Sequence, residues 1–223
     1  MVVGILGGGQ LARMLALAGH PMGIRCLVLD PADDACSAPV ARHLHGAFDD
    51  RALLDELADS ADVITYEFEN VPLESLRYLS SRVPVYPPLT ALEATQDRLN
   101  EKNLFRELGI DTPDFLPVSS QAELESALEK IGLPSVLKTR RMGYDGKGQV
   151  VLKEAADVAG AWEQLGGVPA ILEAFVPFDR EVSGIEREWE TLTRGGDSEY
   201  SGMIWLRRKV RRASEVPSSI APD

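Results

Sequence analysis

The first 90 residues alternate between short apolar runs and segments whose apolar positions recur every three or four residues. Val2 to Leu6 is a run of the first kind and predicts a strand. Gly7-Gly8-Gly9 follows as a turn, and Gln10 to Gly19 predicts a helix with Leu11, Leu15 and Ala18 on its apolar face. Gly19 suits a helix C-cap, and Pro21 cannot continue the helix. The alternation repeats with a strand over Ile24–Leu29, which ends at Asp30-Pro31, a helix over Asp50–Ala58 and a strand over Val63–Tyr66. A helix over Leu73–Leu79 and a fourth strand over Val83–Tyr86 complete it. Strands separated by helices join in parallel with helices on both faces, so the pattern predicts an α/β, Rossmann-like domain over residues 1–90.

The rhythm changes after Pro84, Pro87 and Pro88. Ala91 to Leu108 reads as one long helix with Leu92, Leu99 and Leu108 facing a core, stopped by Gly109. Thr112-Pro113 begins an extended segment. Ser120-x-x-Glu123 fits a capping box, which opens a helix over Gln121–Ile131. Ser135–Lys138 and Gln149–Leu152 predict a hairpin around a Gly-rich loop at Thr139–Gly148, followed by a helix over Glu154–Leu165 and a strand over Ala170–Phe175. Strands and helices are segregated differently here, so residues 91–183 read as a linker helix and a smaller α+β domain.

Composition sharpens this picture at the C-terminal end. Apolar residues make up 44% of the 223-residue chain, enough for a real core. The net charge of −12 lies entirely within the first 183 residues, because 184–223 hold 7 basic and 7 acidic residues. Trp189 and Trp205, two of the three tryptophans, also fall in that tail, which shows weak periodicity and leaves room for disorder. An acidic chain repels nucleic acid, although a local amide-lined or basic pocket can still hold a small anion. No apolar run is long enough to cross a bilayer, and MVVGILGGGQ lacks a signal peptide's basic start and cleavage site. A cytoplasmic protein with reduced Cys26 and Cys36, no membrane and no nucleic-acid partner is therefore expected.

Two glycine-rich turns carry candidate chemistry. Gly7-Gly8-Gly9-Gln10-Leu11-Ala12 matches G-x-G-x-x-G/A between a strand and a helix, where backbone N–H groups and the helix dipole favour an anion. Asp30 then stands where a dinucleotide fold binds ribose, so an NAD(P)-binding oxidoreductase is one reading and another phosphate ligand a second. The segment Lys138–Gln149 places a lysine at a strand end ahead of Gly143, Gly146 and Gly148, as a loop folding over a triphosphate requires. Tyr66–Val71 closes a parallel strand at its carboxyl end, where ligands dock in open sheets. Glu173 and Glu181 are undistinguished by themselves, and His43-x-His45 lacks a third metal ligand at a useful spacing.

Taken together, GILGGGQLARML, Tyr66–Pro72 and Lys138–Gln149 resemble the N5-carboxyaminoimidazole ribonucleotide synthetases of the ATP-grasp group, and Asp97–Phe105 is similar to their linker helix. The resemblance runs from about Val2 to Ser183 and implies a pre-ATP-grasp sheet followed by the first part of an ATP-grasp domain. It also implies a reaction of purine biosynthesis, in which ATP and bicarbonate, with Mg²⁺, carboxylate 5-aminoimidazole ribonucleotide. By that resemblance Arg98 and Lys138 contact ATP phosphates, and Gly143, Tyr144, Asp145, Gly146, Lys147, Gly148 and Gln149 form the covering loop. Glu173, Ala174, Phe175 and Val176 hold adenine, and Glu181 the ribose. Tyr144, Asp145 and Lys147 are the implied catalytic residues, and Gly9, Gln10 and Leu11 receive the ribonucleotide phosphate. The family's acidic metal ligands and its C-terminal ATP-grasp half are not recognisable after Ser183. A shifted reading frame or disrupted gene is the expectation for 184–223, with little or no ligase activity or a non-catalytic nucleotide-binding remnant. The family resemblance leaves room for a homodimer.

Overall fold

A computed structural model describes residues 1–143 and 147–178, together with the backbone of 180–186 and 204–210. The chain divides into two compact units, one built on Met1–Gln96 and one beginning at Asp97.

In the first unit β1 (Val2–Leu6), β2 (Arg25–Asp30), β3 (Arg42–His45) and β4 (Val63–Tyr66) form a parallel sheet in the order β3-β2-β1-β4. Ile5 and Leu6 point to opposite faces and both are wholly buried, as in a sheet covered on both sides. On one face α2 (Arg51–Ser60) and α3 (Leu73–Ser80) place Leu54, Leu57, Leu76 and Leu79 against Leu6, Leu27, Leu29 and Ile64. Asp50 caps α2 by accepting from the Ala52 and Leu53 amides. The other face is closed by α1 (Gln10–Gly19) through Ala12, packed on Ile5 and Val28.

This arrangement corrects the expected face of α1. Its buried residues are Ala12, Ala16 and Gly19, while Leu11 and Leu15 are each 49% exposed and Ala18 also faces outward. Small residues let the helix axis approach the sheet closely, which turns the larger apolar side chains away from it. The expected strand at Val83–Tyr86 is reduced to one bridge, Val85 beside Ile64. Pro84 and Pro87 have no N–H to donate there, and the two ladder bonds are Ile64 N–H to Pro84 O (2.8 Å) and Tyr86 N–H to Ile64 O (2.9 Å). The remaining parallel strand is β3, whose sequence Arg-His-Leu-His buries only Leu44.

In the second unit β5 (Phe115–Val118), β6 (Ser135–Thr139), β7 (Gln149–Leu152) and β8 (Ala170–Ala174) form an antiparallel sheet in the order β5-β8-β6-β7. With α4 (Leu89–Thr95) ending the first unit, α5 (Arg98–Glu107) and α6 (Gln121–Ile131) are the main helices from here on. Leu124 and Ala127 of α6 pack on Leu137, Leu152 and Leu172. Ser120 accepts from the Glu123 amide, and Glu123 reaches back to the Ser119 N–H. The expected helix over Glu154–Leu165 is instead a 3₁₀ turn (Ala155–Asp157) and the short α7 (Ala161–Gln164), separated by Gly160 at φ +81°. The backbones of β9 (Arg180–Glu186) and β10 (Ile204–Val210) pair antiparallel, so the strand begun at Arg180 runs on past Ser183.

The expected single helix over Ala91–Leu108 is also two. Asp97 leaves the helical region (φ −124°, ψ 118°) and caps α5, accepting from the Leu99 amide at 2.9 Å. Gln96 spends its side-chain amide on the Glu69 and Val71 carbonyls. Leu108 lies beyond α5 and is 64% exposed.

Candidate functional site

In the second unit the site forms on one face of the antiparallel sheet. Along β6, Ser135, Leu137 and Thr139 are buried toward one side, which sends Val136 and Lys138 to the other. Val136 pairs across the ladder with Glu173 of β8, so Lys138 and Glu173 are diagonal neighbours on that face. Lys138 Nζ lies 2.9 Å from Glu173 Oε2, and α5 delivers Lys102 Nζ to 3.3 Å from the same oxygen. All three side chains are largely buried, at 21%, 6% and 14% exposure for Lys138, Glu173 and Lys102. Glu173 Oε1 is buried without a hydrogen-bond partner among the described residues.

Two ammonium groups against one carboxylate leave a surplus positive charge in a sheltered place. Burial alone would push the Glu173 carboxyl up, but Lys138 and Lys102 outweigh it and hold the group below the usual glutamate range. For Lys102 burial wins and pulls the ammonium down, reinforced by Lys138 and opposed by Glu173.

The start of α5 fixes this geometry. Asp97 accepts two hydrogen bonds from Arg140, at 2.9 and 2.8 Å, beside its cap to Leu99. Arg98 donates to the carbonyls of Thr139 (2.6 Å) and Gly143 (3.0 Å), and its own N–H reaches Arg140 O at 2.9 Å. Arg98 therefore grips the root of the Gly-rich loop. The loop's far end is held by Thr139 N–H to Gly148 O (2.8 Å), and Gly148 sits at φ +68° where a Cβ would fall 2.6 Å from Thr139 Oγ1. Lys147 and Gln149 are exposed on the far side of that loop. Tyr144, Asp145 and Gly146 lie outside the described residues, as does the side chain of Glu181, whose backbone pairs with Lys209. Past Glu173, Ala174 N–H bonds Asp114 O (2.8 Å) and Phe175 N–H bonds Pro134 O (3.1 Å). The N–H of Val176 has no backbone partner among the described residues.

In the first unit the Gly7–Ala12 turn wraps a carboxylate of its own. Glu67, at the carboxyl end of β4, accepts from Gly9 N–H (2.5 Å) and Ala12 N–H (2.8 Å). A Cβ on Gly9 would lie 2.6 Å from Glu67 Oε1, so this contact requires glycine. The amides of Gln10 and Leu11 have no partner among the described residues. A cavity of about 370 Å³ opens beside the turn, lined by Gly8, Asp30, Asp34, Phe48 and Glu67 among others. The dinucleotide reading loses its ribose ligand here, because Asp30 accepts from Gly8 N–H (2.6 Å) and Ala32 N–H (2.8 Å). His43 and His45 bond the carbonyls of Asp30 and Pro31 and so tie down the segment after β2.

Lys102 and Asp97 were absent from the residues expected at the site. The signal for Lys102 was available, since Arg98 and Lys102 stand four apart on a helix and share a face. Glu173's pairing needs the β6–β8 register, which no local pattern encodes.

Comparison with known proteins extends both halves of the chain. The description "Ribonucleotide synthetase preATP-grasp domain" matches residues 1–96, and "ATP-grasp domain" matches residues 103–190. The chain is 55% identical over 183 residues to an N5-carboxyaminoimidazole ribonucleotide synthase from Pseudomonas aeruginosa, covering 82% of this chain and 51% of that protein. A solved N5-carboxyaminoimidazole ribonucleotide synthetase from Thermus thermophilus superposes with a TM-score of 0.74 at 50% identity, covering 81% of this chain and 49% of that one. A synthase from Aspergillus clavatus, solved with ADP and 5-aminoimidazole ribonucleotide, gives a TM-score of 0.75 at 31% identity, covering 82% and 49%. The chain thus spans about half the length of the curated relatives it matches.

Proposed function

We infer that the chain belongs with the N5-carboxyaminoimidazole ribonucleotide synthetases of the ATP-grasp group, and from that premise we propose that it serves ATP-dependent carboxylation of 5-aminoimidazole ribonucleotide, its second unit holding the nucleotide. The observation that carries the proposal is the surplus ammonium at Glu173, a buried positive charge suited to phosphate oxygens. In the reaction, bicarbonate takes the γ-phosphoryl group of ATP and releases ADP. The exocyclic amine then attacks the carboxyl carbon, phosphate leaves and the amine loses a proton. Lys138 offsets the phosphate charge, while Arg98 positions the loop of Gly143–Gln149. The edge at Glu173–Val176 offers main-chain groups to adenine, with Val176 N–H free of backbone partners among the described residues. Glu181 is assigned to the ribose, and Tyr144, Asp145 and Lys147 to the reacting groups.

In the first unit, the ribonucleotide phosphate is assigned to the amides of Gly9, Gln10 and Leu11. Glu67 already holds the first of these, so an arriving phosphate must displace its carboxylate or bind through Gln10 and Leu11. Among the described residues no group of three or more His, Cys, Asp or Glu side chains is arranged to hold a metal ion, so no step is assigned to Mg²⁺.

Calorimetric titration of the full chain tests this reading. ATP is expected to bind, with affinity falling about tenfold or more in Lys138→Ala. Equal affinities in the two proteins, or binding of NADH without ATP, would overturn it.

A further inference from the structure

One lysine would suffice to neutralise Glu173, yet two share its Oε2, at 2.9 Å for Lys138 and 3.3 Å for Lys102. A second buried cation costs desolvation, and the carboxylate does not need it for charge balance. It becomes useful once Lys138 has somewhere else to go. A lysine that turns to a phosphate leaves its carboxylate behind, and a buried carboxylate without a partner is strongly destabilising. That penalty would be subtracted from ligand affinity.

We propose that Lys102 is a positioning residue, a reserve counter-ion that holds Glu173 when Lys138 leaves it for a nucleotide phosphate. The inference rests on the nucleotide reading of Lys138. Several features suit Lys102 to the stationary role. It is the more buried of the two lysines, at 14% exposure against 21%. It stands on α5, whose first turn is clamped to the end of β6 through Asp97, Arg98 and Arg140. Its ammonium also lies 5.7 Å from the centre of the Phe115 ring, a second attraction that holds it in place. Lys138 pushes the Lys102 ammonium toward losing its proton, so departure of Lys138 tightens Lys102's hold on its charge. The hand-off leaves Glu173 ionised and paired throughout.

The test is a stability cycle without nucleotide, followed by a titration. Lys102→Met and Lys138→Met are each expected to lower the urea midpoint modestly, because the other lysine still pairs Glu173. The double variant should fall by clearly more than the sum of the single shifts, because it alone strands the carboxylate. Its stability should then decline as pH rises toward neutrality, the reverse of the wild type. Adding Glu173→Gln to the double variant removes the stranded charge and should restore folding, which keeps the test decisive if the double variant does not fold. Additive single effects, a single variant as unstable as the double, or no rescue by Glu173→Gln would overturn the proposal. In the titration, Lys102→Met should weaken ATP binding about tenfold, although Lys102 touches no nucleotide, and Lys102→Arg should bind as the wild type does. Unchanged ATP affinity in Lys102→Met also overturns the hand-off. Failure of the wild type to bind ATP would instead remove the nucleotide reading, and the stability cycle would still decide the pairing.

Discussion

Replacing Asp97 by alanine should unlock the corner on which the site is built. The side chain is 9% exposed and does three things: it caps α5 through Leu99 N–H, accepts both hydrogen bonds of Arg140, and approaches Arg141 at 3.7 Å. Loss of the cap costs about 1 kcal/mol. Breaking a buried ion pair from one side costs about 3–5 kcal/mol, and the 27% exposure of Arg140 moves this case to the lower end, since the freed guanidinium regains some water. The sum is about 4 kcal/mol, or roughly 16 to 32 °C in the melting temperature of a unit this size. Asp97→Asn keeps the cap and part of the hydrogen bonding, so about 1.5–2 kcal/mol is expected. Trp162 packs on the core of the second unit, so tryptophan fluorescence in a urea titration follows that unit. A loss below about 1 kcal/mol in Asp97→Ala would mean that only the cap was removed, and the Arg140 clamp would be refuted.

Two further outcomes follow from burial and charge. Arg140 and the Leu99 amide overcome the effect of burial and hold the Asp97 carboxyl below its usual value of 3.8, and Glu173 lies likewise below 4.5. A depressed acid contributes stability that is complete above its unfolded value and is lost as pH falls through the folded one. The second unit should therefore keep its urea midpoint down to about pH 4.5 and lose it below, and the Asp97→Asn, Glu173→Gln double variant should flatten that loss; an equally steep decline in the variant would refute the assignment. On α1, Leu15→Gln should change stability by less than about 0.5 kcal/mol, because Leu15 is 49% exposed. Ala16→Leu, at a position 4% exposed, should cost about 1–3 kcal/mol by thermal melt, and the reverse ranking would restore the apolar face expected from the pattern.

How much was legible in the sequence depended on whether the deciding physics was local. Helix Gln121–Ile131 and strand Val63–Tyr66 were readable because caps, apolar runs and bounding residues lie within a few positions of each other. Strand β3 was not, since Arg42-His43-Leu44-His45 has one buried side chain and owes its conformation to pairing with β2. The break at Gln96–Asp97 was hidden for a related reason. Both residues are compatible with a helix interior, but Gln96 closes α4 in helical conformation with its side chain on the Glu69 and Val71 carbonyls, and Asp97 turns extended with its carboxylate on distant Arg140.

The face of α1 shows why a hydrophobic stripe alone can mislead. Leu11, Leu15 and Ala18 form a plausible stripe, but the sheet beneath selects Ala12, Ala16 and Gly19, with Ala12 packed on Ile5 and Val28 and the start of the helix tied to Glu67 through the Gly9 and Ala12 amides. A bulky residue on the inner face would lift the helix and break the Glu67 contacts to Gly9 and Ala12. The same logic holds in the second unit, where Gly148 and Arg98 set the loop's two ends and Lys138 lies on β6 just ahead of it. In both units the glycine-rich segment was legible as a close approach of backbone to a charged group. What it approaches in this structure, Glu67 in one and the Arg98 guanidinium in the other, is supplied by a residue tens of positions away. Candidate anion sites were therefore visible as shapes in the sequence, while the charged groups that contact them in this structure became visible only through the fold.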